Sequence, residues 1–323
     1  MVNAIRQTQS GLTIGQARLG LTNAGGHQTV GTAVHDGDTV SSDPDGNIPV
    51  RLLGVDAPEV SFTLPNDPPV KFSNINSQGW TDFLTDPFAR GLPLFDPPLP
   101  RQLRAFLEPK LGPGCAANHA KHAKPATDGF RAKVSKDMAD SGLDKDSFLF
   151  FLAFAHDVLD RYGRFLTFLH QDRPPGQRKP SYNLQLLDDA LVVPYMIWPN
   201  TNPFRTAPTL LDGVPAPGQL ADPDLDQARQ VVKDTRAAHK GIYEQADPLQ
   251  LQPFELRYLA RTTPIGGRKV RLGPDRWVID LTINDNRLHP PHAYYRIPNP
   301  EDRLFIPDEF TSLFEIKGWK RQR

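Results

Sequence analysis

The stretch Val50-Arg51-Leu52-Leu53-Gly54-Val55-Asp56-Ala57-Pro58-Glu59 admits few conformations. Its apolar run reads as a strand, and the stiff Ala57-Pro58 step stops that strand at a fixed point, because proline cannot donate to a central ladder. Alternation along residues 50–55 puts Arg51, Leu53 and Val55 on one face and Val50, Leu52 and Gly54 on the other. Arg51 is then a charged group carried on a rigid apolar strand. Asp56 closes the run, and Glu59 follows three positions later. Two other short segments carry similar chemistry. In Val34-His35-Asp36-Gly37-Asp38-Thr39-Val40, Asp38 follows Gly37 in what reads as a sharp turn; Asp160-Arg161-Tyr162-Gly163-Arg164 reads as a second turn.

Between them these segments offer carboxylates for a hard cation, guanidinium groups for a phosphate, and one spare carboxylate to handle water. A phosphodiester is anionic and gains charge toward its transition state, so its cleavage is mostly neutralisation and positioning. Arginine suits that work, because its planar fork meets two phosphate oxygens at once. Asp38 and Asp56 at strand ends, with a backbone carbonyl and waters, make a plausible shell for Ca2+. Taken singly, each piece is also ordinary: Asp-Gly-Asp is a common turn, and an Arg beside an apolar strand is usually solvated.

The conjunction closely resembles the staphylococcal nuclease (thermonuclease) family. The resemblance implies that Asp38 and Asp56 bind Ca2+ together with the main-chain oxygen of Ala57. It also implies that Arg51 and Arg164 hold the phosphate, that Glu59 acts as general base, and that Arg161 and Tyr162 hold a terminal phosphate and stack a base. A second block, Asn183-Leu184 and Tyr195-Met196-Ile197-Trp198-Pro199-Asn200, matches the family's helix and Tyr-rich exit segment, with Tyr195 as a further substrate contact; Ile197 stands where relatives often carry a second tyrosine. The implied fold is α+β: an OB-like five-stranded β-barrel with packed helices. The implied activity is Ca2+-dependent hydrolysis of DNA or RNA, an endo- or exonuclease. The alternative is a catalytically silent barrel that binds nucleic acid or protein.

Length departs from the compact relatives, since Glu59 and Arg164 stand 105 positions apart. The expected organisation is a polar N-terminal extension over residues 1–25 and the barrel over 26–60 and 146–245. An insertion covers 61–145, and a C-terminal extension of unassigned role covers 246–323. Prolines crowd residues 60–100, so that part reads as irregular, with one short helix over 75–84. Helical patterning returns at 101–111 and at 114–139, where Pro125 is expected to break or kink the helix. The insertion is expected over the barrel's flank, bordering the substrate groove. Cys115, His119 and His122 share one helical face, either as an incomplete soft-metal set or as ordinary helix residues. Residues 148–155 satisfy both strand and helix spacing, 164–170 make a strand, and helices are expected at 182–191 and from Asp222-Pro223 to about 243. Residues 276–280 read as a strand; the basic and aromatic tail reads either as a nucleic-acid contact or as a loose end.

Composition narrows the function classes. Lys plus Arg equals Asp plus Glu at 37 each, whereas a protein gripping long DNA by charge alone is usually basic. Any positive field is therefore local to the cleft, which favours transient substrate contact. One cysteine allows no intramolecular disulfide, and no apolar run reaches the roughly 20 residues of a membrane span. The first residues carry no apolar signal core, which sets an expectation of cytoplasmic residence.

Overall fold

The computed structural model describes residues 5–65, 70–89, 98–204, 207–220, 222–262 and 276–322. The chain opens with β1 (Ile5–Gln7), β2 (Thr13–Leu19) and a short α1 (Val30–Ala33). Next come β3 (Val34–Asp36), β4 (Thr39–Asp43), β5 (Ile48–Leu52) and β6 (Gly54–Asp56). A hairpin of β7 (Ser61–Leu64) and β8 (Val70–Asn74) leads into α2 (Gln78–Thr85), α3 (Arg101–Leu107) and the long α4 (Cys115–Ser141). The long strands β9 (Phe150–Leu159) and β10 (Phe165–Gln171) precede α5 (Tyr182–Asp188), β11 (Val193–Ile197), α6 (Leu210–Gly213), α7 (Pro223–Ala237) and α8 (Pro253–Thr262). The chain finishes with β12 (Arg276–Asp280), β13 (Arg287–Leu288), β14 (Arg303–Pro307), α9 (Thr311–Ile316) and β15 (Lys320–Arg321).

Strands pair in the order β2-β9-β10-β5-β4, and β4 returns to β2 through Arg18↔Asp43 and Leu19↔Ser42. The result is a closed five-stranded barrel. It is mixed because β10 runs parallel to β5, with Leu166 opposite Arg51. Inside lie Leu19, Val40, Val50, Leu52, Phe150, Leu152, Phe154 and Leu169, all essentially without solvent exposure. Each large side chain of this kind contributes about 1.5–3 kcal/mol by leaving water.

The first barrel strand, β2, lies inside the stretch expected to be a loose lead-in. Its inward positions are Gly15, Ala17 and Leu19, too small on average to show an apolar alternation in sequence. Residues 61–64 pair antiparallel with 70–74 where irregular chain was expected. Helix α4 runs unbroken through Pro125. That residue lies on the solvent side, as does Lys121, whose carbonyl loses its amide partner to the proline, so water can take its place. Residues 150–159 resolve as strand. Helix α7 starts as expected: Pro223 follows Asp222, whose carboxylate accepts from the amides of Asp224 (3.1 Å) and Leu225 (3.3 Å).

The insertion and the C-terminal region share one core. Trp80, Leu103 and Leu107 from the former pack with Leu256, Leu259, Tyr294 and Phe305 from the latter. A four-stranded sheet, β12-β14-β11-β6, ties this second core to the barrel through β6, which continues from β5. The basic tail is not loose. Trp319 is buried and donates its indole N–H to the Pro215 carbonyl at 2.8 Å, while β15 pairs with β13. Among the described residues no helix is long and apolar enough to cross a membrane.

Candidate functional site

Residues from the barrel, the insertion and the C-terminal region meet where β5 gives way to β6. Strict alternation would send Arg51 and Asp56 to opposite faces. Gly54 prevents this. Its φ of +72° breaks the strand, and a Cβ there would lie 3.2 Å from the Met196 sulfur. Val55 and Asp56 turn inward on β6, and Asp56 comes within reach of Arg51, with Nη2 to Oδ1 at 2.8 Å. The other fork nitrogen of Arg51, Nη1, donates to Oδ1 of Asp38.

Asp38 is fixed from several sides. The Leu52 amide donates to its carbonyl at 2.9 Å, the Ala57 amide to its Oδ2 at 2.7 Å, and the Thr39 hydroxyl to its Oδ1 at 3.2 Å. Gly37 makes the approach possible: a Cβ there would stand 2.6 Å from the Ala126 Cβ and 2.8 Å from the Ala57 Cβ. Neither neighbour is a flexible tip. Gly37→Ala is expected to cost about 1–3 kcal/mol, the scale of overpacking a tight contact. Urea unfolding measures it, and an unchanged midpoint would contradict this packing.

Arg257, on α8, joins the cluster from the C-terminal region. Its Nη1 lies 2.5 Å from Glu59 Oε1 and 2.9 Å from Asp56 Oδ1, and its Nη2 lies 2.9 Å from Asp56 Oδ2. His119, on α4, accepts the Glu59 amide on Nε2 at 2.8 Å and donates from Nδ1 to the Leu251 carbonyl at 3.2 Å. The sequence reading missed Arg257, and it singled out His119 only as part of a possible soft-metal set. One signal was present: α8 is buried around most of its circumference yet carries Glu255 and Arg257, and charges in so apolar a helix need partners. Leu256, Leu259 and Ala260 hold the helix in place.

Burial dominates the electrostatics. It pushes the Asp38 carboxyl up to about 8 against the pull of Arg51, and the nearby Asp36 and Asp56 push the same way. Glu59 is also raised by burial, opposed by Arg257. Burial works against the charges of Arg51 and Arg257, but Asp38 and Asp56 outweigh it for the first, and Asp56 and Glu59 for the second. Burial pulls His119 down to about 4 from its ordinary 6.5, so the folded protein holds it neutral. Between pH 6.5 and 4 the unfolded chain protonates this residue and the folded one does not. Its contribution is thus complete above 6.5 and lost as pH falls toward 4, by about 3 kcal/mol in all. His119→Gln keeps an acceptor and a donor but no titration. The stability advantage of wild type over that variant is expected to shrink by this amount across the interval in urea unfolding; a constant difference would contradict it.

Of the two readings of Cys115, His119 and His122, their contacts match ordinary helix residues that pack. Burial and Glu255 push the Cys115 thiol up to about 12, and His122 donates to the Asp247 carbonyl at 3.0 Å. Among the described residues no group of three or more His, Cys, Asp and Glu side chains is arranged to hold a metal ion.

Arg164 lies in the turn ahead of β10, the strand beside β5. There Nε and Nη2 each reach Asp160 Oδ2 at 2.8 Å, and among the described residues it bonds neither Asp38 nor Asp56. Tyr162 is 61% exposed, its ring flanked by the guanidinium groups of Arg161 (4.9 Å) and Arg164 (5.5 Å). The turn leads into Phe165, which stands opposite Val50 on β5, one position from Arg51. Tyr195 is placed differently from expectation. Its ring stacks on Phe254 at 5.4 Å and its hydroxyl accepts from Arg276 at 3.1 Å, so this face is spent on packing and Tyr162 is left as the open ring.

The donors are of the oxygen type a hard divalent ion prefers, but among the described residues they are not arranged to hold one. Asp36, Asp38, Asp56 and Glu59 gather around Arg51 and Arg257, and burial, more than this gathering, raises Asp38. The oxygens themselves are taken, since each one on Asp38 and Asp56 accepts from an N–H donor. No protein-family model matches the sequence, and no curated protein matches it.

Proposed function

We propose that the barrel is OB-like and that its Arg51–Glu59 end is a nuclease site of the staphylococcal (thermonuclease) kind. One observation carries the reading: Asp38 and Glu59 from two loops, and Arg51 and Asp56 from β5 and β6, meet through Arg257 in a single hydrogen-bonded cluster, and the arginine-bearing turn at 160–164 leads into the strand beside β5. Arg51 presents a fork that phosphate oxygens can share, with Arg164 on the neighbouring strand as the second clamp. Glu59, raised by burial against the pull of Arg257, would be the carboxylate that takes a proton from water. Asp38, Asp56 and the Ala57 carbonyl would hold Ca2+, which supplies positive charge for the developing phosphorane. Arg161 and Tyr162 remain open to the sugar-phosphate chain and a base.

The cluster's closure favours a second reading, a silent binding barrel. Asp38 and Asp56 are 1% and 0% exposed, and both are committed to arginine. Incubation with single- and double-stranded DNA and RNA, with Ca2+ and then with a chelator, separates the two. Chelator-sensitive degradation supports the nuclease; binding without degradation supports the silent barrel.

A further inference from the structure

We infer that the cavity between the outer face of the barrel, α5 and α7 is a second binding site, and that it takes an organic acid: an apolar body with a single carboxyl group. It is separate from the proposed nuclease site and does not depend on that reading.

The cavity has a volume of about 390 Å³, a size that suits a small ligand. Phe168 and His170 enter it from β10, on the face opposite the inward Leu169, and α5 and α7 close it with Leu184 and Leu225. Leu53, Gly54 and Val55 form part of the wall, so the cavity adjoins the strand break that brings Arg51 to Asp56. Some polar side chains on the wall are already matched: Lys179 by Asp137 (2.6 Å) and Asp140 (3.2 Å), and Asn183 by the Leu53 and Thr167 carbonyls. His170 and Arg178 are not. The His170 ring is 9% exposed and donates from Nδ1 to the Lys179 carbonyl at 3.1 Å, which leaves Nε2 as a buried acceptor without a hydrogen-bond partner among the described residues. Arg178 gives Nη2 to the Arg173 carbonyl at 2.9 Å, but among the described residues it pairs with no carboxylate, and its Nε is buried without an acceptor. Both groups flank Phe151, with the guanidinium carbon 3.5 Å from the ring centroid and the imidazole 6.0 Å away. Asp224, on α7, also lines the wall and hydrogen-bonds neither of them. A buried donor and a buried acceptor left unmatched are costly, and a carboxyl group answers both: one oxygen accepts from Arg178, and the other shares a proton with His170 Nε2. A hydroxyl would bridge the pair but leave the guanidinium charge unmatched.

Calorimetric titration of sodium decanoate, kept below its micelle concentration, into the full-length protein tests the inference without reference to activity. Wild type is expected to bind one decanoate with a Kd below about 1 mM, the scale for a ligand of this size. Arg178→Gln is expected to weaken binding by at least about tenfold, because the charged donor is lost. Arg178→Lys keeps the charge and loses the Nε–H; it guards against a Gln variant that does not fold, and is expected to weaken binding by at least about threefold. Lys179→Gln is expected to stay within about threefold of wild type, its charge being matched already. Leu184→Trp fills the cavity from α5 and is expected to abolish binding, with circular dichroism checking that each variant folds. No binding to wild type at millimolar decanoate would overturn the site. Equal affinities for wild type and Leu184→Trp would put decanoate elsewhere on the surface and overturn it as well. Loss of binding in Leu184→Trp with both Arg178 variants like wild type would overturn the acid as occupant and point to a neutral apolar molecule.

Discussion

Arg51→Lys is expected to slow phosphodiester cleavage by about a hundredfold or more, the scale for losing one preorganised transition-state contact. The variant keeps a positive charge near Asp38 and Asp56, so the fold retains most of the pairing that wild type makes through Nη1 and Nη2. What it loses is the planar fork. Ammonium is a point charge that can face one oxygen well, whereas guanidinium meets two in a fixed geometry. The loss should fall on turnover rather than on the Michaelis constant, since bidentate contact tightens most as charge builds on the phosphate. Steady-state cleavage of a fluorescent oligonucleotide measures both quantities, and circular dichroism checks that the variant is folded. A folded Arg51→Lys protein with parental turnover would remove Arg51 from the reaction.

Glu255→Ala is expected to destabilise the protein by about 3–5 kcal/mol, the range for stranding a buried ionic partner. Glu255 is fully buried and accepts from Lys110 at 2.8 and 2.9 Å, from the Tyr294 hydroxyl at 2.8 Å and from the Gln252 amide at 2.9 Å. Removing it leaves three donors without their acceptor. Lys110 belongs to the insertion and Tyr294 to the C-terminal region, so this one carboxylate fastens the two across the second core. Replacement by alanine should therefore loosen α8 and the Arg257 contacts at once. Chemical denaturation followed by tryptophan fluorescence gives the cost; a change below about 1 kcal/mol, the scale of an exposed pair, would show that the cluster is not the fastening.

Local patterns that bury large side chains were legible in the sequence. The strand read at 164–170, the helix start at Asp222-Pro223 and the grouping of Asp38, Arg51, Asp56 and Glu59 follow from residue types at short range, whereas residues 148–155 fitted strand and helix alike and only the fold resolves them as strand. β2 was hidden because Gly15 and Ala17 turn inward without adding apolar bulk. The straight-strand reading of residues 50–55 missed the turn at Gly54, although that glycine is what allows Arg51 to meet Asp56. Arg257, and the contact of His119 with Glu59, were out of reach for a different reason. Each acts across more than sixty positions or close to it, and long-range partners leave no trace in spacing; Arg257 meets Glu59 over a separation of 198 residues and His119 meets it over 60. The insertion and the C-terminal region read as separate pieces because each supplies only half of a core. Tyr195 was assigned to substrate by position, but the apolar surface of Phe254 claims its ring.

The most direct test is to cleave a DNA oligonucleotide with the full-length protein and Ca2+ in water enriched in oxygen-18, and to locate the label by mass spectrometry. Attack of water on phosphorus at this site predicts one labelled oxygen in each new phosphate end, and a yield that collapses in Glu59→Gln. Intact oligonucleotides under these conditions, whether DNA or the matching RNA, or label in the new hydroxyl ends with Glu59→Gln as active as wild type, would contradict the account.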